Sequence, residues 1–257
     1  MEMLKIAITQ TGNDEKSREL ILRALEDPAI SELCTPIVQE KEAALRDLEK
    51  GDVDALVLAQ TESAKCPAGA IRILVTEKAT LMPLEAEPTA EDVIRLRDIL
   101  ERDFDCRSPR IVIVQETGMQ NPDLATQVTA EQGINTYGPY TAEQFFANDM
   151  ALHFDGIITA EKPSAQRILE ELSQEVPVCF FAGKETVVTA ACRPLHMDET
   201  GNELEDVSCL THPIYTAIDI IRNRAFYDEA RQNPLPKLFR DKREERKAEK
   251  ETPKSSE

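Results

Sequence analysis

Histidine is scarce in this chain: three residues in 257, His153, His196 and His212, none of them inside a metal-ligand pattern. A site that holds a divalent ion through imidazole nitrogens is therefore short of ligands from the outset. Cysteine offers no substitute. The six thiols, Cys34, Cys66, Cys106, Cys179, Cys192 and Cys209, include no Cys-x-x-Cys pair, so a structural zinc has no clustered soft ligands. Reduced, mostly buried thiols are the expectation. No apolar run reaches membrane-spanning length. Positive charge is also in deficit, with 30 Lys and Arg against 48 Asp and Glu, a formal net charge of −18. Phosphate backbones and anionic bilayers are repelled by such a surface, which argues against a nucleic-acid or a membrane partner. Met1-Glu2-Met3-Leu4-Lys5-Ile6 enters a strand pattern at once, without a charged segment leading into an apolar one. A cytoplasmic location is the expectation. There is no internal repeat.

What is present is an ordinary soluble balance, 41 % hydrophobic and 30 % charged, at a length that buries a real core. Leu4–Thr9 reads as a buried strand and Asp14–Leu25 as a helix, with Leu20, Ile21, Ala24 and Leu25 at helical spacing and Pro28 ending it. Thr35–Val38 is a short strand, Lys41–Lys50 an amphipathic helix closed by Gly51, and Val53–Ala59 a strand. This β-α-β-α-β alternation argues for a parallel sheet with covering helices. Ile71–Thr76 is another strand. Thr89 caps a helix with Glu91 and Asp92 in its first turn, running to about Phe104. Further strands are Pro109–Val114, Gly156–Ala160, Pro177–Phe181 and Thr186–Ala190, with an extended piece over Ile134–Tyr140. Further helices are Glu143–Ala147, Ser164–Leu172 and Pro213–Ala230. Pro194–Val207 is polar and loop-like. Residues 237–257 are almost all charge and cannot bury an apolar face, so a frayed or disordered tail is expected there.

Few side chains stand out as chemical candidates. His196, with Asp198 and Glu199 behind it, sits in a polar loop at a spacing that fits no metal cage. His212 precedes Pro213 at an expected helix start. Cys192 beside Arg193 is a candidate low-pKa thiol, because a cation favours thiolate. Asp219, within an apolar helix, is expected to pair with a neighbour such as Arg222 or to face a subunit contact. Lys184-Glu185 after Gly183 reads as a turn.

Three groups of segments carry a family resemblance. The first is Ala217–Arg224 running into Asn233-Pro234-Leu235. The second is Gly138-Pro139-Tyr140 with Phe145-Phe146 and His153-Phe154-Asp155-Gly156-Ile157. The third is Ile6–Gln10 with the stretch from Asp27-Pro28 to Pro36-Ile37-Val38. Together they resemble the 4-hydroxythreonine-4-phosphate dehydrogenase family of pyridoxal phosphate biosynthesis. The resemblance implies an α/β fold of two lobes flanking a cleft, with mostly parallel sheets covered by helices, in an isocitrate/isopropylmalate-dehydrogenase-like architecture. Lobe one is expected over about 1–100 plus 213–236 and lobe two over about 101–212. It also implies a homodimer, NAD and a divalent metal.

The family's catalytic motifs are altered here. The glycine-rich turn after the first strand reads Gln10-Thr11-Gly12-Asn13-Asp14-Glu15-Lys16, with one glycine left. A proline-lysine strand end appears as Leu58-Ala59-Gln60-Thr61-Glu62-Ser63, and a Gly-His-Thr motif as Gly69-Ala70 without the histidine. Gln115-Glu116-Thr117-Gly118-Met119 stands for Asn-Pro-His-Ala-Gly, Ala160-Glu161-Lys162-Pro163 for Tyr-His-Asp-Gln-Gly, and Ala191-Cys192-Arg193-Pro194 for Asp-His-Gly-Thr. The lost histidines are the family's metal ligands. A divalent metal polarises the substrate oxygen in that chemistry. Glu143, just after the Gly-Pro-x-x-Ala stretch, is the surviving first-contact candidate, and His153 matches a scaffold position in some members. No catalytic residue is assigned. The leading expectation is a family member that has lost metal-dependent dehydrogenase activity and needs neither NAD nor a metal, with room to keep a small-ligand site. An active NAD-dependent dehydrogenase rebuilt on Glu143, Glu161 and His153 is the alternative. A regulatory partner of an intact paralogue is a third reading.

Overall fold

The computed structural model describes residues 3–10, 15–59, 69–115, 121–160, 162–173, 176–183, 185–192 and 207–233. The expected loop 194–207, apart from Val207, and the charged tail 237–257 lie outside these. The chain runs β1 (Leu4–Gln10), α1 (Glu15–Leu25), α2 (Pro28–Leu33), β2 (Cys34–Glu40), α3 (Lys41–Lys50), β3 (Ala55–Leu58), β4 (Ile71–Val75), β5 (Thr80–Pro83) and α4 (Ala90–Asp103). It continues through β6 (Ile111–Val114), α5 (Leu124–Gln132), β7 (Thr136–Tyr140), α6 (Ala142–Phe146), a 3-10 helix (Ala147–His153) and β8 (Gly156–Thr159). α7 (Lys162–Leu172), β9 (Val178–Ala182), β10 (Val187–Ala191) and α8 (Ser208–Gln232) complete it.

All ten strands form one sheet in the order β2-β1-β3-β10-β9-β4-β5-β8-β6-β7. β1 pairs parallel with β2 and β3, and β10 parallel with β3. At the other side β8 pairs parallel with β5 and β6, and β6 with β7. Three antiparallel pairings, β10 with β9, β9 with β4 and β4 with β5, join these two parallel blocks and turn one against the other. The sheet is thus mostly parallel, with an antiparallel centre that the simple β-α-β reading does not contain. Strands from 1–100 and from 101–212 interleave, since β9 and β10 stand between β3 and β4.

Alternation along each strand divides the core into two layers. Ile6 and Ile8 of β1, Ala55 and Val57 of β3, and Ile111 and Ile113 of β6 pack with α1, α2, α4, α5 and α8. Ala7, Leu56, Leu58, Val112 and Val114 face the other way, onto α3, α6 and α7. β3, β6, β8, β9 and β10 are buried along their whole length, as strands covered on both faces must be.

Helix ends follow local chemistry. Gly51 takes φ 77° and closes α3. At α4 the Thr89 hydroxyl accepts from the Asp92 N–H while the Asp92 carboxylate accepts from the Thr89 N–H, a reciprocal cap. Thr89→Ala should cost about 1 kcal/mol, read as a lower denaturant midpoint at unchanged slope. Two prolines act differently from their sequence reading. Pro28 opens α2 rather than ending α1: Asp27 accepts from the Ala29 N–H (2.9 Å), and proline at a first helical position sacrifices no bonded N–H. Pro213 lies inside α8, which starts five residues earlier at Ser208. β5 and α5 are additions to the sequence reading.

Candidate functional site

Two places in the sheet reverse the winding direction. β1 is followed by β2 on one side and then, through α3 on the opposite face, by β3 on the other. β6 is followed by β7 on one side and then by β8 on the other. In open α/β sheets such reversal points leave a crevice outside the carboxyl ends of the strands, and ligands bind there. Because the two parallel blocks are antiparallel to each other, the β1/β3/β10 crevice and the β6/β8 crevice open at opposite edges of the sheet within one chain.

At the first crevice the Thr9 hydroxyl accepts a hydrogen bond from the Ala59 N–H (3.1 Å), fixing the ends of β1 and β3 side by side. β10 ends in Ala191, with half-buried Cys192 beyond it. Its buried Thr189 hydroxyl donates to the Pro213 carbonyl (2.9 Å) and is spent on holding α8. At the second crevice β8 ends in buried Thr159 and β6 is followed by Gln115. The Gln115 N–H donates to the Tyr140 carbonyl (2.9 Å), while its side-chain Oε1 is buried without a hydrogen-bond partner. Among the described residues the strand ends are thus lined by hydroxyl, amide, methyl and thiol groups. These can hydrogen-bond a neutral polar ligand, but they do not fit a divalent metal, which needs several imidazole or carboxylate donors at one point.

Glu143 comes three residues after Tyr140, whose carbonyl accepts from the Gln115 N–H at the β6 end, while His153 comes just before β8, at the far end of that strand from Thr159. Glu143 sits in the first turn of α6 and is exposed; His153 closes the 3-10 helix and is exposed too. Among the described residues no three His, Cys, Asp or Glu side chains gather as a metal-binding group. Glu161, His196 and Arg193 lie outside the described residues, as do the Gly12 turn, 60–68 and 116–120.

His212 lies four residues into α8, and borders a shallow cavity of about 230 Å³ with Tyr215, Glu77 and an exposed Asp219. The Tyr215 hydroxyl donates to Asp27 Oδ2 (2.8 Å), so Asp27 caps α2 through one oxygen and anchors α8 through the other. Burial first, then the Asp27 hydrogen bond, pushes the Tyr215 phenol up to about 12 from 10.0. A folded-state pKa above the unfolded one gives stability that is fully present below about pH 10 and lost as pH rises through about 12. Stability measured across that window should fall more steeply in the native chain than in Tyr215→Phe. Equal declines would show that the hydrogen bond is not made. Burial also pushes the Cys34 thiol up, which makes it a poor nucleophile.

No family model matches the chain. Over 185 residues, 67 % of the chain, the sequence is 30 % identical to the 4-hydroxythreonine-4-phosphate dehydrogenase of Bacteroides thetaiotaomicron. The chain is a member of the 4-hydroxythreonine-4-phosphate dehydrogenase-like family. It spans half the length of that curated relative. The crystal structure of a 4-hydroxythreonine-4-phosphate dehydrogenase from Burkholderia phymatum superposes with a TM-score of 0.57 at 13 % identity, over 86 % of this chain and 99 % of the other. The Klebsiella pneumoniae enzyme of that name gives 0.53 at 12 % identity, over 85 % and 98 %. At those identities the structures establish the fold: a mostly parallel sheet with helices on both faces. No described helix is long and apolar enough to cross a membrane.

Proposed function

We propose that this chain keeps the family's α/β frame without its metal-dependent dehydrogenase chemistry, and works as a homodimeric binding scaffold. The observation that carries this reading is the chemistry of the strand ends: Thr9, Ala59, Gln115, Thr159 and Ala191 supply no imidazole and no carboxylate. In the family's chemistry a divalent metal would polarise a substrate oxygen beside NAD. The described residues do not fit that ion, and no step is drawn through it. The buried Gln115 Oε1 and the hydroxyl-lined ends suit a small polar ligand instead.

The homodimer is what the family resemblance implies. The ends of β6 and β8 and the end of β10 open at opposite edges of one chain, so a pocket drawing on all three needs a second copy. An intact paralogue could take the second position. Assaying the full chain with 4-hydroxythreonine 4-phosphate, NAD and zinc, magnesium or manganese should give no NAD reduction above the blank. Metal-dependent turnover would overturn the reading and point to a rebuilt site that includes Glu143, Glu161 and His153. Sedimentation of the purified chain should show a dimer; a monomer at micromolar concentration would remove the homodimer.

A further inference from the structure

Between α4, α8 and the turns before β4 and after β9 lies a cavity of about 480 Å³, within the size range of small-molecule sites. None of its lining residues belongs to the strand-end crevices, so a ligand held there is independent of the binding scaffold proposed for those ends. Arg95 and Arg102 stand seven residues apart on α4, two helical turns along one face, and Arg224 enters from α8. Ile71 and Ile99 supply apolar wall, while Gly69 and Gly183 leave the space between the turns unfilled by side chains.

The charge pattern is asymmetric. Both carboxylates that line the cavity have arginines of their own. Asp103 is held by Arg224 (Nε to Oδ1 2.7 Å), and Asp98 is in ion contact with Arg97 (2.7 Å) without hydrogen-bond alignment. Among the described residues, the ion pairs of the two α4 arginines that line it are made to carboxylates outside the lining, with Asp103 acting on Arg102 through charge as well. Glu91, which holds Arg95, is 70 % exposed, and Glu185, which holds Arg102 at 3.0 Å, is 88 % exposed. Exposed pairs of this kind contribute little, so their arginines are cheaply recruited by another anion. Arg224 commits three N–H groups, two to Asp103 and one to the Glu185 carbonyl (2.7 Å), out of the five a guanidinium carries. Guanidinium groups match the oxygens of carboxylates and phosphates. On a chain with a formal net charge of −18, the lining of this cavity sets three guanidinium groups against two carboxylates.

We propose that this cavity is a binding site for a small oxyanion-bearing molecule, one carrying a phosphate or carboxylate group held by Arg95 and Arg102, with Arg224 fixing the wall behind them. Titration calorimetry on the full chain, at constant ionic strength set with chloride, tests this with two probes, inorganic phosphate and succinate. Saturable binding of at least one is expected, and the tighter of the two identifies phosphate or carboxylate as the recognised group. Losing one charge-assisted contact should weaken binding ~tenfold in Arg95→Gln and in Arg102→Gln, and binding should vanish in the double variant. Both side chains are partly exposed, so each single variant should melt within a few degrees of the native chain, and the single variants alone decide the matter if the double variant misfolds. No saturable binding of either probe, or binding of equal strength in the variants, would overturn the proposal.

Discussion

Arg224→Ala should lower the stability of the chain by about 3–5 kcal/mol. The two partners are buried and separated by 121 positions in sequence, with Arg224 Nε 2.7 Å from Asp103 Oδ1 and Nη2 3.3 Å from Oδ2. Truncating the arginine leaves a buried carboxylate with its main partner gone. It also takes the donor from the Glu185 carbonyl and uncovers the ring of Phe180, whose centroid lies 5.9 Å from the guanidinium carbon. The contact ties α4 to α8, supported by Asn223 Nδ2 donating to the Asp103 carbonyl (2.9 Å). Arg224→Lys should recover little, because an ammonium cannot span both carboxylate oxygens and the Glu185 carbonyl at once. Replacing both partners, as Asp103→Leu with Arg224→Met, should cost much less than either single change, since no charge is then left unpaired. Denaturant melts of Arg224→Ala, Arg224→Lys, the double variant and its two single changes check this. A loss under about 1 kcal/mol in Arg224→Ala would mean the pair is solvated and worth no more than a surface bridge.

Gly138→Ala should be comparably damaging, at about 3 kcal/mol or more. Gly138 lies in β7 with φ +99°, a region side chains rarely enter, and an added Cβ would stand 2.5 Å from the Ile113 carbonyl oxygen and 3.1 Å from the Tyr140 N. Both obstacles are backbone, so β6 and β7 would have to part. That movement would strain the bond from the Gln115 N–H to the Tyr140 carbonyl and with it the β6 end of the crevice. Gly133→Ala is the control. Its φ is +67° but a Cβ there meets nothing within 4 Å, so only the conformational cost of about 1 kcal/mol applies. Equal losses at the two positions would show that the backbone clash contributes nothing.

The features legible in the sequence were those written locally. Lys41–Lys50 with Gly51, and Thr89 with Asp92, read correctly because periodicity and capping need only a few neighbouring residues. The family resemblance is legible in local motifs too, such as Gly138-Pro139-Tyr140, which lies where β6 meets β7. β5 escaped because Thr80–Pro83 is four residues long and bounded by a proline. α5 escaped because its threonines blur the apolar stripe, leaving only Leu124, Ala125 and Val128 buried. Pro28 opens α2 because a proline suits a first helical position as well as the stretch after a helix, and Pro213 reads as a start although it stands five residues inside α8. The antiparallel centre of the sheet and the Asp103–Arg224 pair are non-local, and no short window contains them. At the candidate site, Ala59, Gln115 and Ala191 are visible as departures from the family's motifs, and Thr9 and Thr159 are not. Glu143 and His153, singled out by position in sequence, are exposed on α6 and on the 3-10 helix after it.

A family frame that persists without the metal and NAD chemistry should be indifferent to those ligands. The most direct test is the apparent melting temperature of the full chain in phosphate-free buffer with zinc, magnesium and NAD, singly and together. A ligand that binds the folded state raises that temperature with its excess over the dissociation constant. No shift with any of them, alone or combined, is the expected result. A rise that requires a metal and NAD together would contradict the loss of dehydrogenase chemistry.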